Sequence, residues 1–144
     1  MNNNIVIRKY DKNDFTDVIS ILYEGYKSNI VQSLLEEHYV GDEKNIIVAE
    51  DKNAGKVIGC IFWEVEEDFV RPNRVLYLQY LVVASEYRRQ GIAHLLYDEV
   101  DMICKRMNCT SIEFTSANFR KGAHELYKSM GYTIKDTSIF IKEI

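Results

Sequence analysis

The chain has 144 residues, of which 47% are apolar and 28% charged, as expected for one soluble globular domain. The net charge of −4 argues against nucleic acid as a ligand, because phosphate contacts need a basic surface. Three cysteines without CxxC or Cys/His spacing predict neither a disulfide framework nor a metal site. The N-terminus does not resemble a signal peptide, and no apolar run approaches the ~20 residues of a membrane span. We therefore expect a cytoplasmic protein without a membrane partner.

The first third of the chain predicts one strand and two helices. Ile5 to Tyr10 has the β-branched residues of a short strand. Asp11 is the expected N-cap of a helix whose apolar residues recur at helical spacing up to Tyr26, although Gly25 should weaken its end. A second helix is predicted from about Ile30 to Tyr39.

The middle of the chain predicts three strands. Ile46 to Glu50 and Val57 to Glu66 flank a segment with hairpin turn chemistry, and the second strand alternates polar and apolar residues along its tail. After a polar loop, Val75 to Val83 is almost entirely apolar or aromatic. Such a run is typical of a central strand that is covered on both faces.

The last third begins with the clearest helical pattern in the sequence. Gly91 to Met107 carries a single apolar stripe, and a strand is predicted at Thr110 to Thr115. A helix from about Arg120 to Met130 follows, and then two short strands, Tyr132 to Asp136 and Ser138 to Lys142. This element order predicts a single mixed α/β domain spanning residues 1–144, built around one sheet.

The segment that carries chemical information is Leu81 to Ala93, where a buried strand enters a short turn and the turn opens a long helix. Arg88 and Arg89 precede Gly91 in this turn. Because unpaired N–H groups and the positive dipole end of a helix N-terminus attract anions, the pattern indicates a phosphate or pyrophosphate site. It matches neither a Walker A loop nor the dinucleotide fingerprint. The plainer interpretation is a helix that begins at glycine beside solvated arginines.

Two motifs carry a resemblance to the GNAT superfamily of N-acetyltransferases. Arg88-Arg89-Gln90-Gly91-Ile92-Ala93 resembles the family's acetyl-CoA signature, Arg/Gln-x-x-Gly-x-Gly/Ala. The segment from Ser116 to Tyr132 is similar to the family's Asn-x4-Ala-x3-Tyr-x3-Gly-Phe/Tyr block. The resemblance implies a mixed α+β fold: a mostly antiparallel central sheet with one splayed parallel strand pair, flanked by about four helices.

The family resemblance also implies how acetyl-CoA would bind as co-substrate. Its pantetheine arm would pair with the backbone near Leu81 and Val83 between the splayed strands, and backbone N–H groups of the turn would hold the pyrophosphate. Asn118 would contact the cofactor arm or cap the following helix. The expected cofactor-binding residues are Leu81, Val82, Val83, Arg88, Arg89, Gln90, Gly91, Ile92, Ala93, Asn118, Arg120 and Lys121.

In the same comparison, Tyr127 occupies the position of the general acid that protonates the leaving thiolate, although a core tyrosine is the alternative. An N–H group near Leu81 or Val82 would face the developing oxyanion. Many relatives place an acidic residue two positions before Leu81, where this chain has Gln79, which cannot act as a base. The remaining candidates for the base, acting directly or through water, are Glu64, Glu66 and Glu113, each of which could instead be a solvated strand carboxylate.

The resemblance is greatest to small bacterial enzymes that acetylate low-molecular-weight amines such as aminoalkylphosphonates and aminoglycosides. We therefore predict acetyl transfer to a primary amine of a small molecule by direct attack in a ternary complex. The parts of the chain that build the substrate pocket in this family include Glu24, Tyr26 and Tyr80.

Two other functions remain open. One is acetylation of protein or peptide N-termini, and the other is a non-catalytic acetyl-CoA-binding sensor, which Gln79 would favour. Exposed edge strands could also pair two copies into a homodimer.

Overall fold

The computed structural model describes residues 4–27 and 45–144, which contain three α-helices and five β-strands. The helix predicted from Ile30 to Tyr39 lies outside these residues. The chain divides into two compact units, Met1–Phe114 and Thr115–Ile144. None of the described helices is long and apolar enough to cross a membrane.

The first unit contains one sheet whose strands lie in chain order. Four consecutive strands pair antiparallel, whereas β4 and β5 are parallel, so the predicted mixed and mostly antiparallel sheet is confirmed. The strands are β1 (Ile5–Lys9), β2 (Ile46–Asp51), β3 (Lys56–Asp68), β4 (Asn73–Val83) and β5 (Ser111–Glu113).

Helix α1 (Phe15–Tyr26) begins after a 3-10 turn, Lys12–Asp14. Asp11 accepts the N–H of Asn13 at 2.7 Å, and Asp14 accepts the N–H of Asp11 at 2.9 Å, which together form a capping box. The predicted capping role of Asp11 is therefore confirmed, with the 3-10 turn inserted between the cap and the α-helix.

One face of α1 packs on the sheet and forms the main apolar cluster of the first unit. Gly25 lies against Val82 of β4, because a Cβ atom built on Gly25 would be 2.6 Å from Val82 Cγ1. The glycine thus lets the helix approach the strand closely, and the helix continues through it to Tyr26. The buried cluster comprises Tyr10, Val18, Ile21, Leu22, Ile46, Val48, Val57, Cys60, Phe62 and Val82.

Helix α2 (Ile92–Arg106) covers the other face of the same sheet. Leu96 of α2 lies close to Gly59 of β3, whereas the neighbouring Cys60 belongs to the cluster under α1. Successive residues of a strand point to opposite faces, so the two helices sandwich the sheet. The long helix predicted from Gly91 to Met107 is confirmed.

The parallel pair β4–β5 is short. It extends only from Val75 opposite Ser111 to Tyr77 opposite Glu113, although β4 itself continues to Val83. The strand predicted from Thr110 to Thr115 is therefore confirmed in place but not in length. Its early end leaves the two parallel strands paired at one end only, as a splayed pair would be.

The second unit contains helix α3 (Lys121–Ser129), which matches the prediction from Arg120 to Met130. The two strands predicted at Tyr132 to Asp136 and Ser138 to Lys142 are wrong, since neither segment forms a strand. Phe140, for example, is 95% exposed. Alternating β-branched residues favour a strand only where a neighbouring edge supplies hydrogen bonds and apolar cover.

Candidate active site

Strand β4 carries a β-bulge near its carboxyl end. Cys60 faces Val82 and Phe62 faces Gln79, so Tyr80 and Leu81 together stand opposite the single residue Ile61. Tyr80 has a φ of +52°, which is uncommon for an aromatic residue. A bulge bends the strand locally and interrupts its ladder, so Tyr80 and Leu81 lack regular pairing with β3.

Cys60 supports this bulge from β3. Its thiol donates a weak hydrogen bond to the carbonyl of Tyr80, with the sulfur and oxygen 3.9 Å apart. Burial raises the pKa of Cys60 to about 12, so it remains a neutral thiol. A buried thiol of this kind is suited to packing and is a poor nucleophile.

The bulge lies in the part of β4 that β5 leaves unpaired. Beyond Tyr77, no strand among residues 4–27 and 45–144 pairs with the β5-facing edge of β4. Leu81 and Val83, which were predicted to pair with an extended cofactor arm, belong to this stretch. An unpaired strand edge presents backbone donors and acceptors to an extended ligand.

The turn after β4 contains the residues of the predicted anion site. Arg89 and Gly91 have φ values of +64° and +82°, and Gly91 is the N-cap of α2 without any side-chain cap. Within the described part of the chain, no hydrogen bond occupies the N–H groups of residues 89–93. A Cβ built on Gly91 would meet no atom within 4 Å, so the glycine is needed for its φ and faces open space. Unpaired amides at the start of a helix are the groups that bind phosphate or diphosphate in other proteins.

The polar side chains of this turn have different roles. Arg88 Nε donates to the carbonyl of Val83 at 3.0 Å, and Gln90 Nε2 donates to the carbonyl of Glu86 at 3.2 Å. Both bonds shape the loop from within. Arg89 is exposed and forms no hydrogen bond or ion pair with the described residues, so its charge is available to an anion.

Two of the predicted substrate residues are in contact with each other. The rings of Tyr26 and Tyr80 meet edge to face, with centroids 5.9 Å apart, and the ring of Phe62 packs against Tyr80 at 5.4 Å. Tyr26 and Tyr80 are 46% and 45% exposed, so each keeps an accessible ring surface. They form a half-exposed aromatic surface next to the bulge.

Glu24, the third predicted substrate residue, has a structural partner. Its carboxylate accepts the backbone N–H of Ser85 at 2.7 Å, and this hydrogen bond lowers the pKa of Glu24. Glu24 therefore connects α1 to the turn that precedes the anion site.

The candidate bases gather around one residue of β4. Glu64 on β3 and Glu113 on β5 are the register partners of Tyr77 on its two sides, and Glu66 lies two residues further along β3. Partners in register share a sheet face, so these carboxylates and Gln79 lie on the same face. Glu64 and Glu66 are exposed, whereas Glu113 is half-buried.

Tyr127, the predicted general acid, is half-buried on α3 in the second unit. Its ring centroid is 6.2 Å from that of His124, whose Nε2 lies 3.2 Å from the hydroxyl of Ser116. Asn118, Arg120 and Lys121 are exposed. The N-cap of α3 is Arg120, without a side-chain cap, so the alternative that Asn118 caps this helix is wrong.

Three features of the site were not predicted: the bulge at Tyr80, the Glu24–Ser85 hydrogen bond and a hydrogen bond from Tyr87 to Asp51 at 2.8 Å. The only local signal was Asp51 at the start of a hairpin turn.

Comparison with known proteins places these features in a family. The model of the "Acetyltransferase (GNAT) family" matches residues 12–132. Comparison with curated proteins gave no match.

Solved structures of similar fold include acetyltransferases with different acceptors. An aminoglycoside N-acetyltransferase in complex with CoA is 15% identical with a TM-score of 0.82, covering 96% of this chain and 94% of its own. An aminoglycoside acetyltransferase from an uncultured soil metagenomic sample, in complex with sisomicin, is 17% identical with a TM-score of 0.79 and coverages of 99% and 97%. A ribosomal-protein-alanine N-acetyltransferase from Brucella melitensis biovar Abortus 2308 is 16% identical with a TM-score of 0.79 and coverages of 96% and 99%.

Proposed function

Because this chain belongs to the GNAT family of N-acetyltransferases, which transfer an acetyl group from acetyl-CoA, we propose that its acceptor is the primary amine of a small molecule. The observation that supports acetyl-CoA as the co-substrate of this proposed reaction is the predicted anion site beside the unpaired edge of β4. Both features lie in the first unit, and together they fit a ligand that has a diphosphate and an extended amide-containing arm.

Each part of the co-substrate has a counterpart in the described residues. The amides of residues 89–93 would bind the diphosphate, with Arg89 adding positive charge. The open edge of β4 at Leu81 and Val83 would hydrogen-bond the arm. When bound, acetyl-CoA supplies the acetyl group as a thioester.

The chain's own groups would then act on the reaction in three places. An N–H at Leu81 or Val82, turned by the bulge, would face the developing negative charge, an effect often worth about 3–4 kcal/mol. Tyr127 would donate a proton to the departing sulfur. A carboxylate among Glu64, Glu66 and Glu113 would receive a proton from the amine, directly or through water, since an alkylamine has a pKa near ~10.4.

Charge and shape around Tyr77 and Tyr80 favour a cationic amine. Glu64 and Glu66 place negative charge on the sheet face that they share with Gln79. Tyr26 and Tyr80 offer accessible rings, which attract ammonium groups through their π faces. The sisomicin complex of a structural neighbour supports a small polyamine as the acceptor class.

The test is thiol release from acetyl-CoA in the presence of polyamines, aminoglycosides, aminophosphonates, amino acids and short peptides. We expect at least one small amine to accelerate release strongly over buffer. If only peptides accelerated release, the chain would be an N-terminal acetyltransferase. If acetyl-CoA bound but no amine accelerated release, the chain would be a sensor.

The proton acceptor can be identified separately with Glu64→Gln, Glu66→Gln and Glu113→Gln. Substitution of the residue that acts as base should lower kcat and remove the acidic limb of the pH–rate profile. The other two should change only the KM for the amine, because they contribute charge and no proton transfer.

A further inference from the structure

The two carboxylate oxygens of Asp51, at the end of β2, accept hydrogen bonds from different parts of the chain. Oδ1 accepts the N–H groups of Asn53 at 2.9 Å and Ala54 at 3.3 Å, which shapes the hairpin turn to β3. Oδ2 accepts the hydroxyl of Tyr87 at 2.8 Å. Asp51 is only 5% exposed and Tyr87 is half-buried, so this second bond is partly shielded from water, and it joins two segments that are remote in sequence.

Tyr87 closes the 3-10 turn Ser85–Tyr87, immediately before the anion site. Two residues later, Arg89 has a left-handed φ of +64°, which a residue with a side chain adopts only when its surroundings enforce it. The backbone bonds of the turn are local, from Tyr87 N–H to Ala84 and from Arg88 N–H to Ser85. These local bonds set the shape of the turn, and the bond from Ala84 N–H to the carbonyl of Ile58 at 2.8 Å ties only its first residue to β3.

Three side-chain hydrogen bonds or ion pairs join this turn to other elements of the described chain, and Lys56 Nζ also lies over the Tyr87 ring. Glu24 accepts the N–H of Ser85, and Lys56 pairs with Glu86 at 2.7 Å. The Lys56–Glu86 pair is on the surface, with its side chains 44% and 63% exposed, and such pairs contribute little. The bond from Tyr87 to buried Asp51 is therefore the least exposed of the three hydrogen bonds and ion pairs.

We propose that Asp51 and Tyr87 form a positioning pair that holds the amides of residues 89–93 in the geometry that binds the diphosphate of coenzyme A. The pair contacts no reacting atom, and it acts through the turn that separates Tyr87 from Arg89. The inference rests on the proposed function, since it assigns the anion site to this co-substrate.

The variant Tyr87→Phe tests the pair, because it removes one hydroxyl and keeps the ring under Lys56 Nζ, which lies 5.5 Å from the ring centroid. The measurement is the Kd of the full chain for CoA and for pantetheine, which lacks the diphosphate. We expect CoA to bind about tenfold more weakly, a change of about 1.4 kcal/mol. The Kd for pantetheine should change less than twofold.

Glu86→Gln is the matched control, since it removes the exposed ion pair from the same turn and should leave both Kd values unchanged. Asp51→Asn is the second variant, because its amide oxygen can still accept the turn N–H groups. It should show a smaller loss that again affects CoA only. Amide hydrogen exchange at Tyr87 and Arg88, whose N–H groups donate within the turn, should become faster in Tyr87→Phe.

Equal weakening of CoA and pantetheine by Tyr87→Phe would overturn the positioning role, because it would reveal a general loss of structure. Unchanged CoA binding by both Tyr87→Phe and Asp51→Asn would overturn it as well. Failure of the unmodified protein to bind CoA would instead remove the proposed function, and this inference with it.

Discussion

Gly25 of α1 and Val82 of β4 lie so close that a Cβ atom on Gly25 would be 2.6 Å from Val82 Cγ1. Val82 follows the bulge at Tyr80 and Leu81, so this contact fixes where α1 rests on the functional part of β4. The glycine that should weaken the helix is therefore the residue that allows the helix to pack.

Gly25→Ala should lower the free energy of unfolding. Alanine favours a helix by up to ~1 kcal/mol over glycine, but overpacking against Val82 costs ~1–3 kcal/mol, so we expect a net loss of about 1 kcal/mol. Urea unfolding measures it. Gly122→Ala in α3 is the control, because a Cβ there meets no atom within 4 Å. It should be neutral or stabilising, and a stabilising Gly25→Ala would contradict the close contact.

Tyr127→Phe should lower kcat by about 10²–10⁴-fold if its hydroxyl protonates the thiolate. The affinity for CoA should stay within about twofold, because the anion site and the β4 edge are unchanged. Steady-state kinetics and calorimetry separate the two quantities. Tyr23→Phe, on an exposed tyrosine of α1, should leave the rate unchanged. A Tyr127→Phe variant with full kcat would assign Tyr127 to packing.

Gly91 can be tested with two substitutions at the same position. Gly91→Ala forces a φ near +82° on a residue that disfavours it by ~1–2 kcal/mol, so CoA should bind about tenfold more weakly. Gly91→Asn should lose much less, because asparagine tolerates this region. The Kd of each variant for CoA, measured by calorimetry, tests this difference. Equal losses would mean that any side chain at this position obstructs the ligand.

Substitutions of Glu24 test whether this residue contacts the substrate or has a structural role. If its carboxylate serves mainly to accept the N–H of Ser85, Glu24→Gln should keep CoA affinity within about threefold, whereas Glu24→Ala should weaken it about tenfold. If Glu24 binds the amine through its charge, Glu24→Gln should instead raise the KM of the amine at unchanged CoA affinity. Both constants are measured with the same preparations.

Acid stability should depend on Asp14. Burial alone would raise the pKa of Asp14, but hydrogen bonds from Arg8 at 2.7 and 2.9 Å and from the amide of Asp11 outweigh it and lower the pKa. Stability from this carboxylate is thus complete above its unfolded pKa of ~3.9 and is lost as pH falls through the lower folded value.

Unfolding free energies of Asp14→Asn, measured from pH 6 to pH 2, should therefore vary less with pH than those of the unmodified protein. The substitution should also cost about 1–3 kcal/mol at pH 6, because Arg8 loses its charged partner. Identical pH slopes for the two proteins would exclude Asp14 as a contributor.

A structural feature could be predicted from the sequence when it is determined by a few neighbouring residues. Asp11 as a cap and Gly91 at the start of α2 could be predicted, because capping and a left-handed glycine conformation depend on only a few residues. The bulge at Tyr80 could not be predicted, since it exists only in the register between β3 and β4. The Asp51–Tyr87 hydrogen bond could not be predicted either, because it joins residues that only the folded sheet brings together.

The two wrong strands at the C-terminus have the same explanation. Ile139, Phe140 and Ile141 have the propensity of strand residues, but pairing depends on an available edge, which sequence does not specify. The family motifs were more informative than periodicity, since they identified the family from short segments.

The brevity of β5 has an evolutionary consequence. Strands in globular proteins are usually about 3–10 residues long, so β5, with 3 residues, is at the short end of the range. Here, two more residues of pairing would join β4 and β5 by backbone hydrogen bonds and close the gap that a cofactor arm would enter. Lineages of this protein should therefore tolerate insertions in the β3–β4 turn far better than any change that lengthens β5.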